Sequence, residues 1–333
     1  MALTELAPLF ARPMPVDYGR IAYALSTGRL AATQRRVVAR LTSAGATREA
    51  AEVGLWEKPP RSSWSPEMGA ALSLIASAPR LAALQLALAY GVAGAELSFS
   101  AADERPSELD LEGRAVLVSG PTDIGFVDGR LIISSDAGTT ALKKVGAGWV
   151  AEDGLVDWRW WPTGRSAPSY LIDYGGAFTE DAFPWPPLEA GEQTQDLPQW
   201  DSSFVEALNI LERSVPNSSS WVGEVLRGVV IYQSPDDATR SGTQAELPGL
   251  MALSNATDPV LLGEHLIHES SHQFYNLFKA ACPLVRPGCT ATFYSPIKRA
   301  DRPVEKVLAG VHAVANMINY YTRLRDVEGL SDA

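Results

Sequence analysis

Apolar positions recur at helical spacing from about residue 17 to residue 92. Ile21, Ala22, Leu25 and Leu30, then Val37, Val38 and Leu41, describe one such run, and an Ala- and Leu-rich block from Pro66 to Tyr90 describes another. Beyond about residue 95 the period shortens. Ala115–Val118, Ile124–Val127 and Arg130–Ile133 read as strands, with Asp128-Gly129 as a hairpin turn between the last two. Gly148-Trp149-Val150 and Leu155–Trp161 continue the series. From Phe178 to Trp200 the chain is rich in proline and acidic residues, the composition of a linker or lid. Helices are expected over Ser202–Arg213 and Ser219–Arg227, and strands over Val229–Tyr232 and Gly249–Leu253. A longer helix follows, opened by Asp258 as N-cap with Pro259 at its first position and closed at Cys282-Pro283. Its apolar stripe is Val260, Leu261, Leu262, Leu266, Ile267, Phe274, Leu277 and Phe278. A last helix runs from about Pro303 to Leu324. The fold class expected is α+β: a helical N-terminal region (1–95), a β-rich region (96–177), a linker or lid (178–201) and a third region (202–333).

Composition narrows the function. The chain has 333 residues, enough for one large domain or two ordinary ones. Its formal charge of −11 and the lack of a basic stripe argue against nucleic acid as a partner, and the acidity reads as solubility. The N-terminal residues have neither a basic segment nor a sustained apolar core, so no signal peptide is expected. Apolar runs such as Leu81–Leu88 are too short for a membrane span. Cys282 and Cys289 lack zinc-knuckle spacing and are expected as two thiols of a cytoplasmic protein. The run Asp157-Trp158-Arg159-Trp160-Trp161 is expected to cover a sheet face rather than to bind a ligand.

The chemistry concentrates in His268-Glu269-Ser270-Ser271-His272. The chain contains only four histidines, His265, His268, His272 and His312, and three of them fall in this one helix. Residues i and i+4 of a helix lie one above the other, so two neutral imidazoles there can reach one metal ion. The alternative, a pair of hydrogen-bonded core histidines, is the weaker reading of an HExxH pattern in a helix. A third ligand comes from His312 or from Glu305, seven residues earlier on the same helical face, with Ala309 and Gly310 allowing the two helices to approach. His265 stands one turn before His268, either holding a ligand through a hydrogen bond or as an exposed or capping residue. Lys298, Arg299 and Arg302 precede the last helix, as solvated loop charge or as a carboxylate clamp.

These residues carry a resemblance. The order of strands, metal helix and closing helix is similar to zincin-type catalytic domains, in which the strand before the metal helix often binds extended peptide. More narrowly, residues 200–325 resemble the HExxH-motif 2-oxoglutarate-dependent peptide β-hydroxylases associated with ribosomally made, post-translationally modified peptides. The shared features are Gly249–Leu253 leading into HExxH, His272-Gln273, Ser295-Pro296-Ile297-Lys298 and Arg302-Pro303. The chain departs from the family pattern at Ile297-Lys298, where the family has Trp-Arg. It departs again at Leu308-Ala309-Gly310, where the family has Leu-His-Gly and this histidine comes one turn later.

The resemblance implies a mononuclear Fe(II) site formed by His268, His272 and His312, with positions left for 2-oxoglutarate and O₂. Arg302, or else Lys298 or Arg299, would hold the cosubstrate carboxylate, Glu269 would orient groups around the metal, and a precursor peptide would be hydroxylated at Cβ. The rival is a zinc metallopeptidase with Glu269 as general base. A third reading is a peptide-binding scaffold stabilised by zinc. None of them requires a membrane or nucleic acid.

Overall fold

The computed structural model describes residues 18–57, 64–90, 197–232, 239–245, 247–254 and 256–328, together with nine strand segments between 98 and 173. The helical N-terminal region is α1 (Tyr18–Ser43), α2 (Thr47–Gly54), α3 (Pro66–Leu74) and α4 (Pro79–Tyr90). The block from Pro66 to Tyr90 divides because Pro79 lacks the amide N–H of a helix interior and starts a new helix instead.

The middle of the chain supplies β1 (Ser98–Ser100), β2 (Ser107–Leu111), β3 (Arg114–Val118), β4 (Thr122–Val127), β5 (Arg130–Ser135), β6 (Gly138–Val145), β7 (Gly148–Ala151), β8 (Arg159–Trp161) and β9 (Tyr170–Asp173). Strands β1-β4-β5-β6-β7 form an antiparallel sheet, and β2 pairs with β3. Val127 stands opposite Arg130, the register of the expected hairpin, although Asp128 and Gly129 lie outside the described residues. So do Leu155–Trp158 and most of the expected linker. Its last residues, Leu197–Asp201, are instead the first turn of α5 (Leu197–Ser214). Strand β6 has no apolar run, only a short alternation in which Leu142 is buried and Lys143 exposed.

After α5 come α6 (Pro216–Val225), β10 (Gly228–Tyr232), β11 (Ser241–Thr243), β12 (Leu250–Ser254), α7 (Pro259–Ala281), β13 (Thr292–Ser295), β14 (Ala300–Pro303) and α8 (Val304–Glu328). The second sheet has the order β11-β12-β10-β9-β8. Strands β9, β10 and β12 are parallel, and β11 is an antiparallel edge. All five residues of β12 are buried. The strand before α7 thus has a neighbour on each side, which leaves β11 and β8 as the end strands of this sheet among the described residues. Gly249 leads into β12 at φ +81°, where an added Cβ would stand 2.7 Å from the Trp64 carbonyl oxygen, so glycine alone fits that turn.

Helix α7 is the central element. Asp258 Oδ1 accepts from the amides of Val260 at 2.8 Å and Leu261 at 3.3 Å, the cap expected from sequence. The helix packs against α1, α5, α6, α8 and the edge strand β11. Its apolar side chains join one continuous core that also holds Leu30, Val37, Trp64 and Met68 from the N-terminal helical region and Tyr320 from α8. The close approach of α7 and α8 occurs at Gly263, where a Cβ would meet the Tyr320 hydroxyl at 2.5 Å, while Gly310 faces open space. The expectation that Gly310 serves this purpose is therefore wrong. Tyr320 donates its hydroxyl to the Val260 carbonyl at 3.0 Å across the contact. No described helix is long and apolar enough to cross a membrane.

Candidate metal centre

A helix buried on nearly all sides is expected to be apolar, yet α7 buries His265, Glu269, Ser270, Ser271 and Gln273. Helical spacing brings His268 and His272 together: their Nε2 atoms stand 3.1 Å apart, with the rings at 86°. Two nitrogens bound to one ion at ~2.0–2.1 Å each are separated by ~2.9–3.4 Å for right-angled to tetrahedral geometry, so the pair has ligand spacing. His268 Nδ1 lies 3.0 Å from the Met317 thioether sulfur on α8. A donor N–H there leaves Nε2 with its lone pair toward His272. Burial holds His268 below its ordinary pKa, with His265 and Lys298 adding to the effect. Burial also pulls His272 down to about 3, helped by His268, His312, Lys306 and Arg302. Both imidazoles are thus neutral at pH 7, the form that binds a metal.

Glu269 is 2 % exposed, and its Oε1 accepts from Ser241 Oγ of β11 at 2.6 Å. The same oxygen is 3.8 Å from His268 Nε2. Burial pushes the carboxyl up to about 7, and the Ser241 bond opposes this only in part. The folded-state pKa is raised above the ordinary 4.5, so the stabilisation from the bound proton is complete below pH 4.5 and is lost as pH rises to about 7. In metal-free protein, Glu269→Gln is therefore expected to be more stable than wild type at pH 8 by on the order of 3 kcal/mol. The gain should shrink toward zero near pH 4.5, as read by urea unfolding in chelator. A pH-independent difference would mean that the carboxylate is not held in this environment.

The remaining sequence candidates are placed less uniformly. His312 is 8 % exposed in the α7–α8 interface, where its ring stacks on Phe274 at 5.9 Å and its Nε2 lies 3.3 Å from Asn316 Nδ2. Burial lowers it to about 4, against a smaller opposing effect of the Ser271 backbone. It is near enough to His272 to act on that ring electrostatically. Glu305 pairs with Lys279 Nζ at 2.8 Å, further along α7. Among the described residues, no three His, Cys, Asp or Glu side chains converge as a ready metal site. Two histidines, His268 and His272, stand at ligand spacing, and His312 is adjacent with its Nε2 turned to Asn316. His265 is buried, and its Nε2 has no hydrogen-bond partner among the described residues.

The cations come from a hairpin that sequence reasoning read as a simple connection. Strand β13 pairs with β14, setting Phe293 opposite Arg302 and Ser295 opposite Ala300. Arg302 is half-buried and acts on His272, as does Lys306 on the first turn of α8, while Lys298 acts on His268. Lys298 and Arg299 are exposed at the tip, where Arg299 adopts φ +50°. Ser241, Met317 and Lys306 were not singled out from sequence. Lys306 follows Arg302 by four residues at a helix start, the one signal that pointed to it. Ser241 and Met317 reach the site only through tertiary packing.

Gln273, directly after HExxH, binds at both ends of its amide. Its Oε1 accepts from Trp64 Nε1 at 2.7 Å and the Gly249 amide at 3.2 Å. Its Nε2 donates to the Leu250 carbonyl at 2.9 Å, the Leu247 carbonyl at 3.2 Å and the Thr243 hydroxyl. One side chain thus fixes α7 to β11, β12 and the N-terminal helical region.

No protein-family model matches the chain, and no curated protein matches it significantly in sequence.

Proposed function

We propose that this chain is an Fe(II)- and 2-oxoglutarate-dependent oxygenase that hydroxylates a side-chain Cβ in a ribosomally made precursor peptide. The observation that carries this reading is the His268–His272 pair, at ligand spacing, with Arg302 and Lys306 beside it. Bound Fe(II), with 2-oxoglutarate and O₂, supplies the oxidation that converts C–H to C–OH while the cosubstrate becomes succinate and CO₂. His268 and His272 hold the metal as neutral imidazoles, and His312 is the proposed third ligand. Met317 fixes the tautomer of His268. Arg302 has the planar fork suited to the far carboxylate of the cosubstrate, and Lys306 adds a point charge on the same side. Glu269, held by Ser241, orients groups around the metal, and β11, an end strand of its sheet, offers main-chain pairing to an extended peptide.

A second reading has its own support. A buried carboxylate with a pKa of about 7, 3.8 Å from a histidine ligand atom, suits the general base of a zinc peptidase. Incubation with Fe(II), 2-oxoglutarate, O₂ and candidate precursor peptides separates the two. Succinate release in step with the gain of one oxygen on intact peptide is expected, and Glu269→Gln should keep a good part of that turnover. Peptide fragments without succinate, made with zinc and lost in Glu269→Gln, would establish the peptidase instead.

A further inference from the structure

The β13–β14 hairpin exposes more apolar surface than its position requires. Phe293, Tyr294 and Ile297 are 53 %, 62 % and 62 % exposed, three large side chains within five residues. Grouped apolar side chains on a surface mark contact sites more often than isolated ones do. The same segment, 292–303, carries Lys298, Arg299 and Arg302 against the single carboxylate of Asp301, a local charge of +2 on a chain of −11. Phe293 and Arg302 form a cross-strand pair and so share one face of the hairpin, the face from which Arg302 acts on His272. His268 is one-third exposed at its side chain and feels the charge of Lys298 at the tip.

We propose that this hairpin is the docking surface for an acidic peptide bearing apolar side chains, which it delivers to the histidine pair. The proposal rests on the reading of that pair as a peptide-modifying centre and names the class of peptide it takes. Charge complementarity selects the occupant. Screening confines each charge to about 8 Å at physiological salt, so a narrow peptide strand experiences mainly the hairpin's cations. A membrane is the weaker match, because a lipid surface would also face the acidic remainder of the molecule. Phe293, on the face shared with Arg302, and Ile297 supply the apolar anchors, and Lys298 and Arg299 supply charge and orientation.

The test uses the full chain in chelator, without metal or cosubstrate, and a short fluorescent peptide alternating glutamate with leucine. Binding is expected, and it should weaken about tenfold or more in Lys298→Glu/Arg299→Glu and in Phe293→Ser/Ile297→Ser. Arg36→Glu/Arg40→Glu, on the exposed side of α1, should leave it unchanged. A peptide with lysine in place of glutamate should bind more weakly than the acidic one. Hydrogen exchange on the wild-type chain gives a reading independent of any variant: the acidic peptide should slow exchange at the backbone amides of 292–302. Equal binding by the hairpin variants, absent protection, preference for the lysine peptide, or binding to phosphatidylserine vesicles in place of the peptide would each overturn the proposal. Because no metal takes part, failure of the oxygenase reading leaves this result standing, and failure here leaves metal binding by His268 and His272 untouched.

Discussion

Replacing Gln273 with leucine is expected to destabilise the protein by roughly 2–6 kcal/mol, because two buried donors lose their acceptor, at ~1–3 kcal/mol for each group left unsatisfied. The donors are the Trp64 indole and the Gly249 amide; the Leu247 and Leu250 carbonyls lose the Gln273 amide but still accept from the Leu250 amide and the Thr243 hydroxyl. Leucine approximates the volume of glutamine, so loss of packing contributes little and the change isolates the polar network. The effect should exceed that of an ordinary core truncation in one respect. Gln273 ties three separate parts of the chain together, so its loss should also loosen the turn at Gly249 and the edge strand that positions Ser241 against Glu269. Urea unfolding of wild type and Gln273→Leu measures the first effect. Faster amide exchange in 241–250 measures the second. A destabilisation below about 1 kcal/mol would show that solvent satisfies these groups and that the network is not structural.

Local features of the fold were legible in the sequence. The Asp258 cap with Pro259, the apolar stripe of α7 and the four-residue spacing of His268 and His272 all follow from backbone geometry within one helix. The structure reproduces each of them. What sequence could not supply depended on contacts between distant segments. Strand β11 is three residues of Ser-Gly-Thr, too short and polar to read, yet it supplies the hydroxyl on Glu269. The β13–β14 hairpin is masked by its charged and proline-bearing tip, which resembles an ordinary loop. Gly310 looked like the contact point of two helices because small residues allow approach, but the crossing falls at Gly263, where Tyr320 reaches across. The placement of His312 was the least determined by sequence. One helical turn changes a side chain's face by tens of degrees, and that decides whether a ring meets the histidine pair or Asn316.

The histidine pair makes the second large prediction. His268→Ala or His272→Ala removes one of two nitrogens that stand at ligand spacing, and His312 turns its Nε2 to Asn316 instead. Loss of affinity by at least about 100-fold is expected for either variant, since loss of a partner that merely orients a ligand already costs ~10–100-fold. His312→Ala should show a comparable loss if its ring joins the set, and unchanged affinity would remove it from the ligands. Met317→Ala leaves both imidazoles in place and is expected to weaken binding by the smaller factor of an orienting partner. The decisive measurement is an anaerobic titration of Fe(II), repeated with Zn(II), into metal-free wild type, His268→Ala and His272→Ala. One ion bound per wild-type chain and lost in both variants is the expected result; no binding by wild type, or equal binding in all three, would contradict it.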